Sequence, residues 1–273
     1  MLYKEENIIK VLDYNVRCAN DGINKVTGSN NDIAARAPRL EALIREYQPD
    51  VIGLQEASRP WIAELETRLY QDYAMRYTYR APHSRESTPV LWRRDKFELL
   101  DDGHFWMSET PDTPSIGWGS GKWCRICTWV KLRVKATGKE FFYVSAHMTG
   151  SVPGTVNGGN VVMEQMANRG AFSECGAFLT GDFNIPPGHE GYVNLQESGR
   201  FSDLNADLGM DWQYSNNGYN DRPDEHPANW IKDFIFYTPA KMVPLKYKVL
   251  NEYYFDGWIS DHRGLWGEVA IKE

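Results

Sequence analysis

Short apolar runs with few interruptions recur along this chain, and between some of them apolar residues return at every third or fourth position. The first pattern is that of buried strands and the second that of amphipathic helices. Ile8 to Val16 reads as a strand. Ala34 to Tyr47 follows as a helix, with Leu40, Leu43, Ile44 and Tyr47 on one side, and Pro49-Asp50 ends it. Val51-Ile52-Gly53-Leu54-Gln55 is a central strand, and Trp61 to Leu69 a second helix. From Tyr73 to Val134 strands take over, at Val90 to Trp92, Phe97 to Leu100 and Trp129 to Val134. Phe141 to Ala146 is a further strand that ends at His147. Gly150 to Gly159 reads as a glycine-rich loop, Val161 to Cys175 as a helix, and Ala177 to Thr180 as a strand ending at Asp182. Strands follow at Trp230 to Tyr237, Val243 to Leu250 and Gly264 to Ile271. Asp211 to Asn229 has no period and reads as a long loop, a form often tied to function. No linker or repeat divides the chain, so residues 1–273 are expected to form one domain of two packed sheets flanked by helices.

Composition narrows the function. With 42% hydrophobic and 25% charged residues, the chain has the make-up of a globular protein with a substantial core. No apolar run approaches the roughly 20 residues that span a bilayer, and Met1 to Asn7 lacks the basic and apolar regions of a signal peptide. The expected setting is cytoplasmic, or secreted if a signal segment has been trimmed, and the expected state is a monomer. Cys124 and Cys127 form a CxxC with no second pair at zinc spacing, and on a strand they would point to opposite faces. They read as ordinary thiols. The net charge of −7 weighs against a nonspecific nucleic-acid binder, which needs a basic surface.

The chemistry gathers at strand ends: Asn15, Glu56, His147, Asp182 with Asn184, and Asp261 with His262. Carboxylate and amide oxygens suit a hard cation such as Mg²⁺ or Mn²⁺, with Glu56 and Asp261 as carboxylates and Asn15 beside them. Imidazoles are suited to act as a base and as donors to developing phosphoryl charge. Asp233, isolated within an apolar strand, needs a partner, and a histidine ring nitrogen is the obvious one. Each residue has a plainer reading. Glu56 can cap a helix, Asp182-Phe183-Asn184 can be an Asx turn, and a lone histidine is usually a satisfied buried one. Trp118, Trp123, Trp212 and Trp230 lie near Gly- or Asn-rich loops, where they can wall a pocket or simply pack.

Six segments, in order, resemble the endonuclease/exonuclease/phosphatase superfamily, whose fold is that of deoxyribonuclease I. They are Val11 to Asn15, Asp50 to Glu56, Val144 to His147, Gly181 to Asn184, Lys232 to Phe236, and Ser260 to His262. The resemblance implies an α/β four-layer αββα sandwich of two packed, mostly antiparallel sheets with the site at their rim. It also implies roles. Glu56 is the principal metal ligand, with Asn15 and Asp261 as neighbours. Asp182, as base, and Asn184 position water or phosphate, and His262 faces the scissile phosphate with Asp233 orienting its ring. His147 is a second phosphate-facing imidazole, a stabiliser or general acid, paired with Glu86, and Arg125 contacts phosphate. Phe105 to Pro111, with Gly117-Trp118-Gly119, is similar to a poorly characterised microbial branch closer to small-substrate phosphohydrolases than to repair nucleases. The expected function is metal-dependent hydrolysis of a phosphate ester, with a small phosphorylated molecule favoured. The alternatives are a nuclease on DNA or RNA, or a binding protein that has lost the chemistry. On this reading, His262→Ala removes turnover and leaves the melting temperature within a few degrees.

Overall fold

The computed structural model describes residues 2–18, 32–84, 86–219, 231–251, 253–255 and 257–273. In chain order these form β1 (Ile8–Asn15), α1 (Ile33–Tyr47), β2 (Val51–Gln55), β3 (Ala57–Ser58), α2 (Arg59–Leu69), β4 (Tyr73–Arg76), β5 (Glu86–Ser87) and β6 (Val90–Arg93). Then come β7 (Phe97–Trp106), β8 (Ile126–Val134), β9 (Glu140–His147), α3 (Val152–Asn168), β10 (Ala177–Asp182) and α4 (Glu190–Glu197). The remainder is β11 (Ser202–Asp203), α5 (Leu204–Asp207), β12 (Asp233–Tyr237), β13 (Met242–Leu250) and β14 (Gly264–Ile271).

Among the described residues the strands make two six-stranded sheets, ordered β13-β14-β1-β2-β6-β4 and β11-β12-β10-β9-β8-β7, with β3 and β5 paired apart. Val11, Val51, Phe141, Tyr143, Phe178 and Ile235 fill the space between the sheets. The outer face of the first sheet is covered by α1 and α2 through Leu40, Ile44, Trp61 and Leu65. The outer face of the second is covered by α3 and α4 through Val162, Met166, Tyr192 and Leu195. This is the four-layer sandwich. Gly53 permits close approach of the sheets at β2, because a Cβ there would lie 2.6 Å from Thr180 Oγ1.

Pairing within the sheets gathers the strand ends. β1 and β2 run parallel, with Asn15 opposite Gln55. β9 and β10 also run parallel, with His147 opposite Asp182. β12 enters antiparallel to β10 with Asp233 opposite Asp182, and β14 leaves antiparallel to β1 directly after His262. The C-terminal ends of the parallel strands and the starts of their antiparallel neighbours therefore share one edge of the sandwich.

One expectation is overturned. Gly150 to Gly159 is not a loop, since α3 begins at Val152. Ser151 caps it, accepting from the Gly154 amide, and Pro153 sits in the first turn. Gly154 is a packing residue: a Cβ there would stand 2.0 Å from Thr149 Cγ2, so tertiary contact overrides helix propensity at this position. The helix expected over Val161 to Cys175 stops at Asn168, and after Gly170 in the left-handed region a π turn spans Ala171–Cys175. Residues 211–219 lack regular structure as expected, whereas the rest of that loop, with His226, and Trp230 of the expected next strand lie outside the described residues. No described helix is long and apolar enough to cross a membrane.

Candidate active site

The turn after β1 is built by the helices behind it. Arg36 of α1 donates to the carbonyls of Val16 and Arg17, and Trp61 Nε1 of α2 donates to Arg17 O at 2.8 Å. Arg17 is thereby held at φ 54, and two other site residues share that left-handed backbone, Glu56 at φ 57 and Asn184 at φ 56. Non-glycine residues in this conformation are strained, and such strain concentrates at functional sites.

Asn15, wholly buried, ties the two sheets together. Its Nδ2 donates to Asp182 Oδ2 at 2.9 Å and to Glu56 Oε1 at 3.3 Å, while its Oδ1 accepts from the Arg17 amide at 2.9 Å. Glu56 Oε2 accepts from the Cys18 amide at 3.1 Å. Asp182 Oδ2 also lies 3.6 Å from His147 Nε2 and 3.8 Å from His262 Nε2. Its Oδ1 accepts from the Asn184 amide at 2.8 Å, so the Asx turn is present, and Asn184 Nδ2 donates to Met148 O. His262 Nδ1 meets Asp233 Oδ2 at 2.8 Å, and Ser215 Oγ donates to the same carboxylate.

Charge divides the two imidazoles. Burial disfavours the charged form of His262, but Asp233 and Asp182 outweigh it and raise its pKa to about 10. Burial also acts on His147, where Arg125 reinforces it, and the pKa falls well below the usual value. His262 is therefore an imidazolium at neutral pH and His147 a neutral ring. Burial, followed by Asp233, pushes Asp182 upward, against the pull of His262. Burial would raise Glu56 too, yet His147, Arg17 and the Cys18 amide together hold it down to about 2. With His147 neutral, the lasting positive charges acting on Glu56 are Arg17 and, farther off, the His262 imidazolium.

The structure brings Asn15, Glu56, His147, Asp182, Asn184, Asp233 and His262 together. Asp261 stands slightly apart, its Oδ2 3.6 Å from Arg17 Nε, while Arg17 Nη1 is 3.6 Å from Glu56 Oε1. Glu86 departs from the pairing that the resemblance implies. Its oxygens turn to Arg80, with Oε2 at 2.8 Å from Nη1 and Oε1 at 2.8 Å from Nη2, although it lines the same cavity as His147. Arg125 borders that cavity, and its buried Nε and Nη1 have no hydrogen-bond partner. Three neighbours escaped the sequence reading: Arg17, Arg80 and Asn216, whose amide lies 2.9 Å from His262 Nε2. Arg17 carried one signal, its place two residues beyond a strand-end asparagine. Of the tryptophans, Trp118 packs on the α3 side of the core, Trp212 lies against Tyr192 and Phe234, and Trp123 covers Arg80.

Glu56, His147 and Asp182 can each turn a ligand atom to a common point, as can Asp182, Asp233 and His262. Carboxylate oxygens such as those of Glu56 and Asp182 are the kind that hold a hard divalent cation; Asn15 turns its Nδ2 toward both of them, and Arg17 stands between Glu56 and Asp261.

The profile of the Endonuclease/Exonuclease/phosphatase family matches residues 14–262. The chain belongs to this family. Its members are phosphoester hydrolases, and the matched span, from Tyr14 to His262, contains the full set of gathered residues. A family member from Bacteroides thetaiotaomicron is 27% identical, with 97% of this chain and 98% of that one covered, at a TM-score of 0.84. A mannosyl-6-phosphatase of the same organism is also 27% identical, over 96% of this chain and 100% of that one, at a TM-score of 0.83. An uncharacterised protein of Acanthamoeba polyphaga mimivirus, L388, is 25% identical over 149 residues, 52% of this chain and 55% of that protein. The chain thus spans about half the length of this curated relative.

Proposed function

We propose that this chain is a Mg²⁺- or Mn²⁺-dependent phosphohydrolase whose substrate is a small phosphorylated molecule. The observation that carries the reading is the convergence on Asp182 of two histidines and an asparagine from different strand ends, with His147 Nε2 at 3.6 Å, His262 Nε2 at 3.8 Å and Asn15 Nδ2 at 2.9 Å from its Oδ2. Asp182, raised by burial and by Asp233, is the base that takes a proton from the attacking water, because a general base works best when its pKa approaches the operating pH. His262, oriented and charged by Asp233, faces the phosphate as an imidazolium. His147, neutral, donates one N–H to a phosphoryl oxygen and acts as a stabiliser rather than an acid. Asn184 and Arg125 complete the set of donors. A cation held by Glu56, with Asn15 and Asp261 beside it, would polarise the phosphate and offset its growing charge.

The net charge of −7 supports a small substrate over nucleic acid, and so does the likeness to a mannosyl-6-phosphatase across nearly the whole chain. The test is hydrolysis of sugar 6-phosphates and chromogenic phosphate esters with Mg²⁺, with Mn²⁺ and with EDTA. Turnover is expected with either metal and is lost in EDTA; equal rates in EDTA would remove the metal from the reading. Tight, steeply salt-dependent binding to DNA or RNA would favour a nuclease instead.

Arg17 competes with that cation for the same carboxylates. Arg17→Met is expected to tighten Mg²⁺ or Mn²⁺ binding about tenfold, the effect of removing one unit charge near the surface. Calorimetric titration reads this directly, and weaker binding would make Arg17 a support for Glu56 rather than a rival of the metal.

A further inference from the structure

The segment between β7 and β8 is pinned against the start of α3. The Met107 amide donates to the Arg125 carbonyl at 2.9 Å and closes the segment into a loop. Thr149 Oγ1 donates to the Gly119 carbonyl at 3.2 Å. A side chain at Gly119, which holds φ 64, would collide with Ser151 Oγ. The loop therefore rests on the turn that follows His147. In that same turn a Cβ at Gly150 would lie 2.9 Å from the Asn184 carbonyl, so the loop is a fixed wall on the His147 and Asn184 side of the site.

That wall exposes an aromatic ring. Trp123 is 46% exposed, and the residues after it, Cys124 and Arg125, border the cavity that His147 shares. Its ring packs on the Arg80 guanidinium, 4.6 Å from the ring centre, and Arg80 borders the same cavity. Arg80 is itself fixed, by two contacts of 2.8 Å to Glu86 and by Nε on Ser84 Oγ at 3.1 Å. Lys122 Nζ stands 4.9 Å from the same ring centre. Scattered apolar side chains on a surface need no explanation. An indole on an immobile seat, one guanidinium away from the cavity beside His147, has a place and an orientation suited to a partner with an apolar face.

We propose that Trp123 carries the alcohol half of the substrate, and that this alcohol is a hexose in its pyranose form. The inference rests on the phosphohydrolase reading above and names what the phosphate is attached to. A pyranose has an apolar face of axial C–H bonds that covers an indole, and a hydroxyl edge that accepts from donors such as the Lys122 ammonium and the indole N–H. Because only the Arg80 guanidinium separates Trp123 from the cavity, the group it meets is the first ring beyond the ester oxygen. In a hexose 6-phosphate that ring is the pyranose, one methylene away. In a nucleotide it is a puckered ribose without a flat apolar face, and the base lies farther out. An open-chain alcohol offers no ring. Trp123 thus selects the carrier and takes no part in the bond-breaking step.

The test compares kcat/KM, with Mg²⁺, for glucose 6-phosphate and mannose 6-phosphate against glycerol 3-phosphate, all esters of primary alcohols with similar intrinsic reactivity. AMP is the fourth substrate, and the proteins are the parent, Trp123→Ala and Trp123→Tyr. The parent is expected to favour a hexose ester over the glycerol ester by about tenfold or more, the scale of one ring-face contact. Trp123→Ala is expected to lower that ratio by about tenfold, chiefly through KM, and Trp123→Tyr, which keeps a ring, to retain most of it. A parent that handles glycerol 3-phosphate as well as either hexose ester overturns the proposal. So does a parallel fall in all esters, which would make Trp123 a prop for Arg80, and so does a preference for AMP that disappears with the ring. Calorimetric binding of the same esters in EDTA separates the platform from the catalysis. A hexose ester bound more tightly than the glycerol ester by the parent, and no more tightly by folded Trp123→Ala, upholds the platform even without turnover, in which case only the hydrolase reading falls. A parent that neither hydrolyses nor binds the hexose esters in preference overturns the platform itself.

Discussion

Turnover in His262→Ala is expected to fall by about 10³-fold or more, the scale on which positioned acid, base and charge-stabilising groups act, and the folded state is expected to weaken with it. Read as a reactive group alone, His262 is dispensable to the fold. The structure places it 4% exposed, between Asp233 and Asn216, so its removal strands the buried Asp233 carboxylate at a cost of about 1–3 kcal/mol. The pH dependence follows from its raised pKa. The folded ring holds its proton up to about pH 10, against an ordinary value of 6.5, so the ring stabilises the fold fully below 6.5 and loses that contribution as the pH climbs toward 10. Thermal melts in EDTA across this window should decline in the parent and be flatter in His262→Ala. Parallel curves would mean that the ring is not charged in the fold. With both its nitrogens protonated, Nδ1 donates to Asp233, and the Nε2 N–H beside the Asn216 amide is the one that can turn to a phosphate.

Glu56→Gln is the second large effect. The amide keeps an oxygen for the Cys18 N–H at the same place but loses the charge, so Mg²⁺ or Mn²⁺ affinity and turnover are each expected to fall by about 10²-fold or more. Calorimetric titration and metal-dependent kinetics check both. Undiminished turnover would take the metal away from Glu56. Because the folded carboxylate holds its charge down to about pH 2 against an ordinary value of 4.5, it stabilises the parent above pH 4.5. That contribution is lost as the pH falls toward 2, and Glu56→Gln should lack this acid-side decline.

Strands buried on both faces were legible because they carry long apolar runs: Val51–Gln55 and Gly264–Ile271 have the bounds their hydrophobic pattern predicts. The clustered side chains were legible for a related reason, since Asn15, His147 and Asp182 close such runs and pairing carries those ends to one edge. What failed depended on partners distant in the chain. Gly154 of α3 looks like a loop residue until Thr149 and the Trp118 carbonyl are seen to need the space. Glu86 looks like a histidine's partner until the turn that returns the chain from Arg80 brings a guanidinium nearer. Asn216 lies in a segment without periodicity, and only the fold lays it on His262.

The position of β14 has a consequence for synthesis. It pairs with β1, the strand that ends in Asn15, yet it is made after all the strands of the second sheet. As the chain emerges from the ribosome, β1 therefore waits without one of its neighbours, and Asp261 and His262 arrive after every other member of the cluster. A chain arrested before residue 260 would hold most of the sandwich and still be silent, so the onset of activity would time the closing event of folding.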